Sequence, residues 1–329
     1  MKIIKLVPGA NPKQVQGKLH GLGVWTAIYE AAGSGDAPQL VSKNYSSEVA
    51  DEAILAVEGV AQVWSAQDKM PRVKRLPSTL DLGALRLGDD ARPVLMAGPC
   101  SVEGEAHIHE CAAMVARAGA TVLRGGCFKP RTSPYSFQGV GAEGLVWMEE
   151  AAKAHGLLTV TEAMAPSHVD IVAKHIDIFQ IGARNMQNFE LLHSVGRAGK
   201  PVLLKRGLAG TIGEWLQSGE HLLHAGASAV IFCERGIRSY DDSTRFLLDL
   251  GAVTLLREVH KVPVIVDPSH AAGRKDLIPR LGLAALAAGA HGLIVEAHPD
   301  PTVACSDAAQ QLTQAELEAA SARWGFVGA

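Results

Sequence analysis

The stretch from Arg124 to Gly139, RGGCFKPRTSPYSFQG, sets three cations, two prolines and four hydroxyl side chains within sixteen residues. No helix or strand uses that composition throughout. The apolar run before it therefore reads as a short strand over 121–124, ending in Arg124, and the remainder as a long loop leaving that strand. Arginine offers a planar donor fork and lysine a point charge, so Arg124, Lys129 and Arg131, with Thr132, Ser133, Ser136 and backbone amides, make a cradle for an anion, phosphate first. A second kind of chemistry is spread along the chain. Cys100, His270, Glu296 and Asp307 together offer a thiolate, an imidazole and two carboxylates, a donor set for a divalent transition metal. No CxxC or HExxH spacing pairs them, so only a fold can bring them together.

The elements that would do so are legible from residue 92 onward. Apolar strands are predicted at 93–99, 121–124, 157–162, 177–183, 201–205, 229–234, 262–267 and 291–296, with helical patterns between them. Several helices end in the same small-residue turn: RAGA at 117–120, RAGK at 197–200, HAGA at 224–227 and AAGA at 287–290. A glycine past a helix end and then an apolar strand is the join of a repeating βα unit. Eight such units predict a (β/α)8 barrel, whose chemistry sits at the C-terminal ends of its strands. Those ends read Cys100, Arg124, Glu162, Arg184, Lys205, Arg235, His270 and Glu296. The cations Arg124, Lys129, Arg131, Arg184, Lys205 and Arg235 suffice for two phosphates and a carboxylate.

At 329 residues the chain exceeds one typical domain and accommodates a barrel of about 250 residues with an appendage. Residues 1–70 alternate as βαββαβ, a small α+β ferredoxin-like module, with its second helix predicted over 46–57 from a capped start at Ser46. Residues 71–79, rich in basic residues and proline, read as a linker. The run LDLGALRL at 80–87 reads as a hairpin opening the 80–329 barrel domain. A formal charge of -3 gives no footprint for nucleic acid. Five scattered cysteines do not form a disulfide framework, and no apolar run is long enough to span a membrane, so a cytoplasmic enzyme is expected.

The segments AGPCSVE, RGGCFKPRTSPYSFQG, IGARNMQN, LLKRG, CERGIR, VDPSHAAGR and VEAHPDP, spread over about residues 80–315, resemble their counterparts in the type I beta 3-deoxy-D-arabino-heptulosonate 7-phosphate (DAHP) synthases. That resemblance implies the first step of the shikimate pathway: phosphoenolpyruvate, erythrose 4-phosphate and water give DAHP and phosphate. It implies that Cys100, His270, Glu296 and Asp307 bind a divalent ion such as Mn, Fe, Co or Zn. Arg124, Lys129, Arg184, Lys205 and Arg235 would hold phosphoenolpyruvate, with the backbone of Gly182 and Ala183 near its phosphate. Lys129, Pro130, Arg131 and Thr132 would meet erythrose 4-phosphate. Glu162 is the first candidate to manage the proton of the entering water, with Lys129 and His270 as rivals.

Two other readings compete. The sister synthase of 3-deoxy-D-manno-octulosonate 8-phosphate uses arabinose 5-phosphate, but that family carries Lys-Ala-Asn-Arg where this chain has Lys129-Pro130-Arg131-Thr132. A non-catalytic phosphosugar sensor would be marked by a lost metal ligand, and all four are present. The N-terminal module is expected to support a homo-oligomer, dimer or tetramer, and to be the place where an aromatic amino acid effector would act. Its strand VWTAIYEAA lacks the His and Ser associated with tyrosine control.

Overall fold

The computed structural model describes residues 1–29, 38–43, 45–65, 69–129, 135 and 137–327. It contains two compact units, one of Met1–Lys69 with Glu258–His260 and one of Met70–Arg257 with Lys261–Ala329. Pro130, Arg131 and Thr132, expected at the anion site, lie outside the described residues, as does Ser136.

In the first unit β1 (Lys2–Leu6), β2 (Thr26–Tyr29), β3 (Gln39–Ser42) and β4 (Val60–Ser65) form one antiparallel sheet in the order β2-β3-β1-β4, the ferredoxin-like arrangement. Helix α1 (Pro12–Gly21) starts at Asn11, whose side chain accepts from the amides of Lys13 and Gln14, with Pro12 at the first position. Ile4, Leu6, Leu40, Val15, Leu19 and Ile54 close a small core. The second helix departs from expectation. Helix α2 is only Asp51–Leu55, and Ser46 does not cap it, because its hydroxyl donates instead to the Trp25 carbonyl.

The second unit opens with the predicted hairpin, β5 (Thr79–Asp81) against β6 (Arg86–Gly88). Residues 71–79, expected as a linker, belong to this unit: Val73 is buried in the barrel's core, and the amides of Arg72 and Val73 donate to Glu220 at 2.9 Å each. Apolar burial and a carboxylate partner fix what composition alone presents as solvated.

Eight parallel strands then close a barrel: β7 (Val94–Gly98), β8 (Val122–Arg124), β9 (Leu158–Glu162), β10 (Ile178–Ile181), β11 (Val202–Lys205), β12 (Val230–Glu234), β13 (Val264–Val266) and β14 (Gly292–Glu296). The ring is sealed by β14 on β7, with Glu296 opposite Gly98. Around it lie α3 (Glu105–Arg117), α4 (Ala142–Ala154), α5 (Val169–His175), α6 (Phe189–Arg197), α7 (Ile212–Ala225), α8 (Leu250–Glu258), α9 (Pro268–Ala272), α10 (Ile278–Ala287) and α11 (Gln314–Trp324). The glycines of the four predicted turns, Gly119, Gly199, Gly226 and Gly289, take φ of 77°, 71°, 121° and 98°, the left-handed region that lets a helix stop and a strand begin.

The period of two sorts each strand's side chains. Met96, Val122, Val160, Ile178, Leu203, Ile231, Ile265 and Ile294 fill the barrel interior, where Leu80, Leu85 and Leu87 of the hairpin join them. Leu95, Leu123, Phe179, Leu204, Phe232 and Val295 face outward into the helices. Continuing the inward alternation past the last apolar layer brings Arg124, Lys205 and Arg235 to the mouth.

Candidate active site

Two cations of the mouth are fixed by buried carboxylates. The Arg124 Nη1 donates to Glu296 Oε1 at 2.7 Å and to the Pro99 carbonyl at 2.9 Å, and its Nε is buried with no partner among the described residues. Lys205 Nζ donates to Asp267 Oδ2 at 2.5 Å. From the strand-end loop, Lys129 reaches back: its Nζ lies 2.8 Å from the Cys100 carbonyl and 3.0 Å from Cys100 Sγ. That approach requires Gly126, where a Cβ would come within 2.8 Å of the Lys129 side chain and 2.9 Å of the Cys100 carbonyl. A narrow cleft is lined by Cys100, Arg124, Gly125, Gly126, Lys129, Val160, Thr161, Glu162 and Gln180. Glu162 accepts from Gln180 Nε2 at 3.3 Å. Gly182 leaves room for it: a Cβ there would stand 2.1 Å from Glu162 Oε1.

The donor set converges on the same side. Cys100, Glu296 and Asp307 present ligand atoms within 4.8 Å of one another, and His270 Nε2 lies 3.5 Å from Glu296 Oε1. Cys100 Sγ is 3.2 Å from Asp307 Oδ2. His270 Nδ1 is 2.7 Å from Asp267 Oδ2, and a carboxylate accepts only, so the ring proton resides on Nδ1 and the Nε2 lone pair faces Glu296. Two acceptors facing each other across an interior gap are what a cation between them would satisfy. Burial pushes the Cys100 thiol up to about 12, with Glu296 adding to the effect against Lys129 and Arg124, so loading an ion must expel the thiol proton. The Glu296 carboxyl, against its burial, is held down to about 2 by His270, Arg124 and Lys129. It is a carboxylate, ready to ligate.

A second cluster, Glu103, His107 and His298, groups ligand types as closely. The tautomer argument turns the other way there. The Asp300 amide donates to His298 Nδ1 at 3.0 Å, which puts that ring's proton on Nε2 and takes the lone pair away from an ion. The cluster at Cys100 is therefore the stronger candidate of the two for a metal centre.

Of the residues singled out by sequence, Cys100, Arg124, Lys129, Glu162, His270, Glu296, Asp307, Gly182 and Lys205 gather at the mouth. Arg235 lies over the Phe246 ring, its Cζ 4.3 Å from the centroid, and burial lowers its pKa. Arg184 is exposed, on the short turn Ala183–Asn185 after β10. Sequence reasoning missed Asp267, which joins Lys205 to His270; Gln310, whose Nε2 donates to Glu296 Oε2 at 2.5 Å; and Gln311, whose Oε1 accepts the Cys100 amide at 3.1 Å. It also missed the buried Arg206, held by Glu234 at 3.0 Å and Asp249 at 2.8 Å. Cys100, Cys111, Cys127 and Cys233 are buried thiols outside any disulfide.

These features define a class: a (β/α)8 barrel whose mouth combines an N, O and S donor set for a transition metal with buried, partly unpartnered cations for an anion. Comparison narrows the class. The DAHP synthetase I family matches residues 68–325, and the chain belongs to that family. It is 47% identical over 262 residues to phospho-2-dehydro-3-deoxyheptonate aldolase of Thermotoga maritima, covering 79% of this chain and 77% of that one. The crystal structure of the Thermotoga maritima DAHP synthase superposes with a TM-score of 0.77 at 39% identity, covering 98% of this chain and 95% of that chain. By contrast, the 2-dehydro-3-deoxyphosphooctonate aldolase of Syntrophotalea carbinolica is 29% identical, over 72% of this chain and 91% of its own length.

Proposed function

We propose that this chain is a 3-deoxy-7-phosphoheptulonate synthase, condensing phosphoenolpyruvate with D-erythrose 4-phosphate and water to give DAHP and phosphate. The observation that carries the reading is the barrel mouth, where the Cys100, His270, Glu296 and Asp307 donors lie close together beside Arg124, a buried cation with a donor to spare. Arg124 and Lys129, with Lys205, Arg184 and Arg235, bind the phosphate and carboxylate of phosphoenolpyruvate as preorganised charge, and Gly182 and Ala183 offer backbone beside them. Pro130, Arg131 and Thr132, which follow Lys129 in the sequence, receive erythrose 4-phosphate. Cys100, His270, Glu296 and Asp307 hold a divalent ion, which when bound supplies Lewis-acid polarisation of the aldehyde carbonyl.

The enol C3 of phosphoenolpyruvate bonds to the aldehyde carbon as its carbonyl π bond opens and the oxygen takes up a proton; water adds at C2 and gives one up, and phosphate leaves with the C2–O bond as the C2 ketone forms. Glu162 accepts the proton of that water, its carboxylate steadied by Gln180. Lys129 and His270 are the other groups within reach of the cleft, and substitution of each separates the three. The N-terminal unit is assigned assembly of a homo-oligomer, with an aromatic amino acid as its effector, and the enzyme is assigned to the cytoplasm.

The test is phosphate release from phosphoenolpyruvate with erythrose 4-phosphate and, side by side, arabinose 5-phosphate, with and without a strong chelator. Turnover with erythrose 4-phosphate that stops in chelator and returns with Mn²⁺ is expected. Preference for arabinose 5-phosphate would reassign the chain to the sister reaction, and no turnover with either would leave the phosphosugar sensor.

A further inference from the structure

Gln310 is 2% exposed, in the short turn after Asp307. Its Nε2 donates to Glu296 Oε2 at 2.5 Å, and its Oε1 accepts from Arg245 Nη1 at 2.9 Å. The same guanidinium stands 3.7 Å from Asp307 Oδ1. Reversing the amide would set its NH2 against a guanidinium and its oxygen against a carboxylate, so Arg245 fixes which way Gln310 faces. Glu296 itself is 1% exposed, and its other oxygen takes Arg124 and faces His270 Nε2. Without the Gln310 donor, Oε2 would be a buried carboxylate oxygen with no partner among the described residues, and the carboxylate would turn to find one.

We infer that Gln310 is a positioning residue for the metal centre: clamped by Arg245, it locks the plane of the Glu296 carboxylate so that Oε1 is presented beside His270 and Cys100. This inference rests on the metal-dependent reading above and adds what sets the ion's affinity. Groups hydrogen-bonded to metal ligands are worth about 10–100-fold in affinity, and that is the size expected here.

The experiment uses the full-length, metal-stripped chain titrated with Co²⁺ by visible absorption and with Mn²⁺ by loss of the free-ion spin-resonance signal. The wild type should show a thiolate-to-cobalt charge-transfer band that Cys100→Ala lacks. Gln310→Leu should keep that band, since Cys100 is untouched, but with changed d–d bands and half-saturation at roughly 10–100-fold more of either ion. Gln310→Asn, too short to span Glu296 and Arg245 at once, should fall between, and it decides the matter if the Leu variant fails to fold. Wild-type affinity and wild-type d–d bands in a folded Gln310 variant overturn the inference, even if that variant melts earlier. Absence of the charge-transfer band in the wild type would instead sink the metal centre itself.

Discussion

Arg206 and Glu234 face outward behind Lys205 and Arg235, and their pairing allows a quantitative test of how the mouth is held. Arg206 Nη1 reaches Glu234 Oε2 at 3.0 Å and Asp249 Oδ2 at 2.8 Å, and its Nε donates to the Gly210 carbonyl at 2.9 Å. Glu234 spends its other oxygen on the Gly236 amide at 2.7 Å, pinning the turn just after Arg235. Burial raises the Glu234 pKa despite Arg206, so its charge is held against a desolvation cost that a neutral amide in its place would avoid. In Glu234→Gln the guanidinium keeps Asp249, and what is lost is a charge-assisted hydrogen bond, about 1.5–3 kcal/mol. At about 2–4 °C per kcal/mol, the apparent melting temperature should drop by roughly 3–12 °C. Arg206→Met leaves Glu234 and Asp249 together without a cation and should cost more, about 3–5 kcal/mol. Calorimetry at one scan rate compares the two, and titration with phosphoenolpyruvate reads the mouth. The neutral variant should bind about tenfold less tightly, equivalent to about 1.4 kcal/mol, because its single amide oxygen cannot accept from both Arg206 and the Gly236 amide, and the turn after Arg235 loosens. If Glu234→Gln is as damaging as Arg206→Met, or if phosphoenolpyruvate affinity is unchanged, the reasoning fails.

Gly182→Ala should leave the backbone in place and push aside the Glu162 carboxylate, whose Oε1 would lie 2.1 Å from the new methyl. The expected loss is about 10²-fold in kcat, matched by Glu162→Gln and no worse in the double variant; additive losses would show that Gly182 acts on the phosphate and not through Glu162. A chain starting at Met70 should fold and turn over, whereas one starting at Pro77 should be less stable by about 1.5–3 kcal/mol for want of buried Val73. A folded Met70 chain that binds metal but cannot condense the substrates would move catalytic groups into the N-terminal unit.

The barrel was legible because its strands are buried on both faces and punctuated by glycines, so that a predicted 201–205 became Val202–Lys205 and 291–296 became Gly292–Glu296. The ends of those strands follow from topology, which together with the family motifs picks out Cys100, His270 and Glu296 as candidate donors. What stayed hidden were partners rather than actors. Asp267 reads as a helix cap, which it is, its Oδ1 accepting the His270 amide at 2.9 Å, and nothing in sequence tells that Oδ2 serves Lys205 and His270. Gln310 and Gln311 are neutral amides in a polar loop, distinguished only by burial. Ser46 misled in the opposite direction, since a hydroxyl before an acidic run resembles a cap until a long-range carbonyl, that of Trp25, claims it.

The closure of β14 on β7 bears on how the protein is made. Cys100 follows the first barrel strand, whereas Glu296 ends the last, and Asp307 comes after it; the donors thus straddle the seam where the barrel's two ends are stitched together. A ribosome must release nearly the whole barrel before any pocket for the ion exists. Cys100 waits through that interval as an isolated thiol, and an ion held by these donors would act as a latch across the seam. Chelation should therefore loosen the β14–β7 junction ahead of the rest of the ring, visible as early exchange of the Ala297 amide, which donates to the Gly98 carbonyl at 2.9 Å.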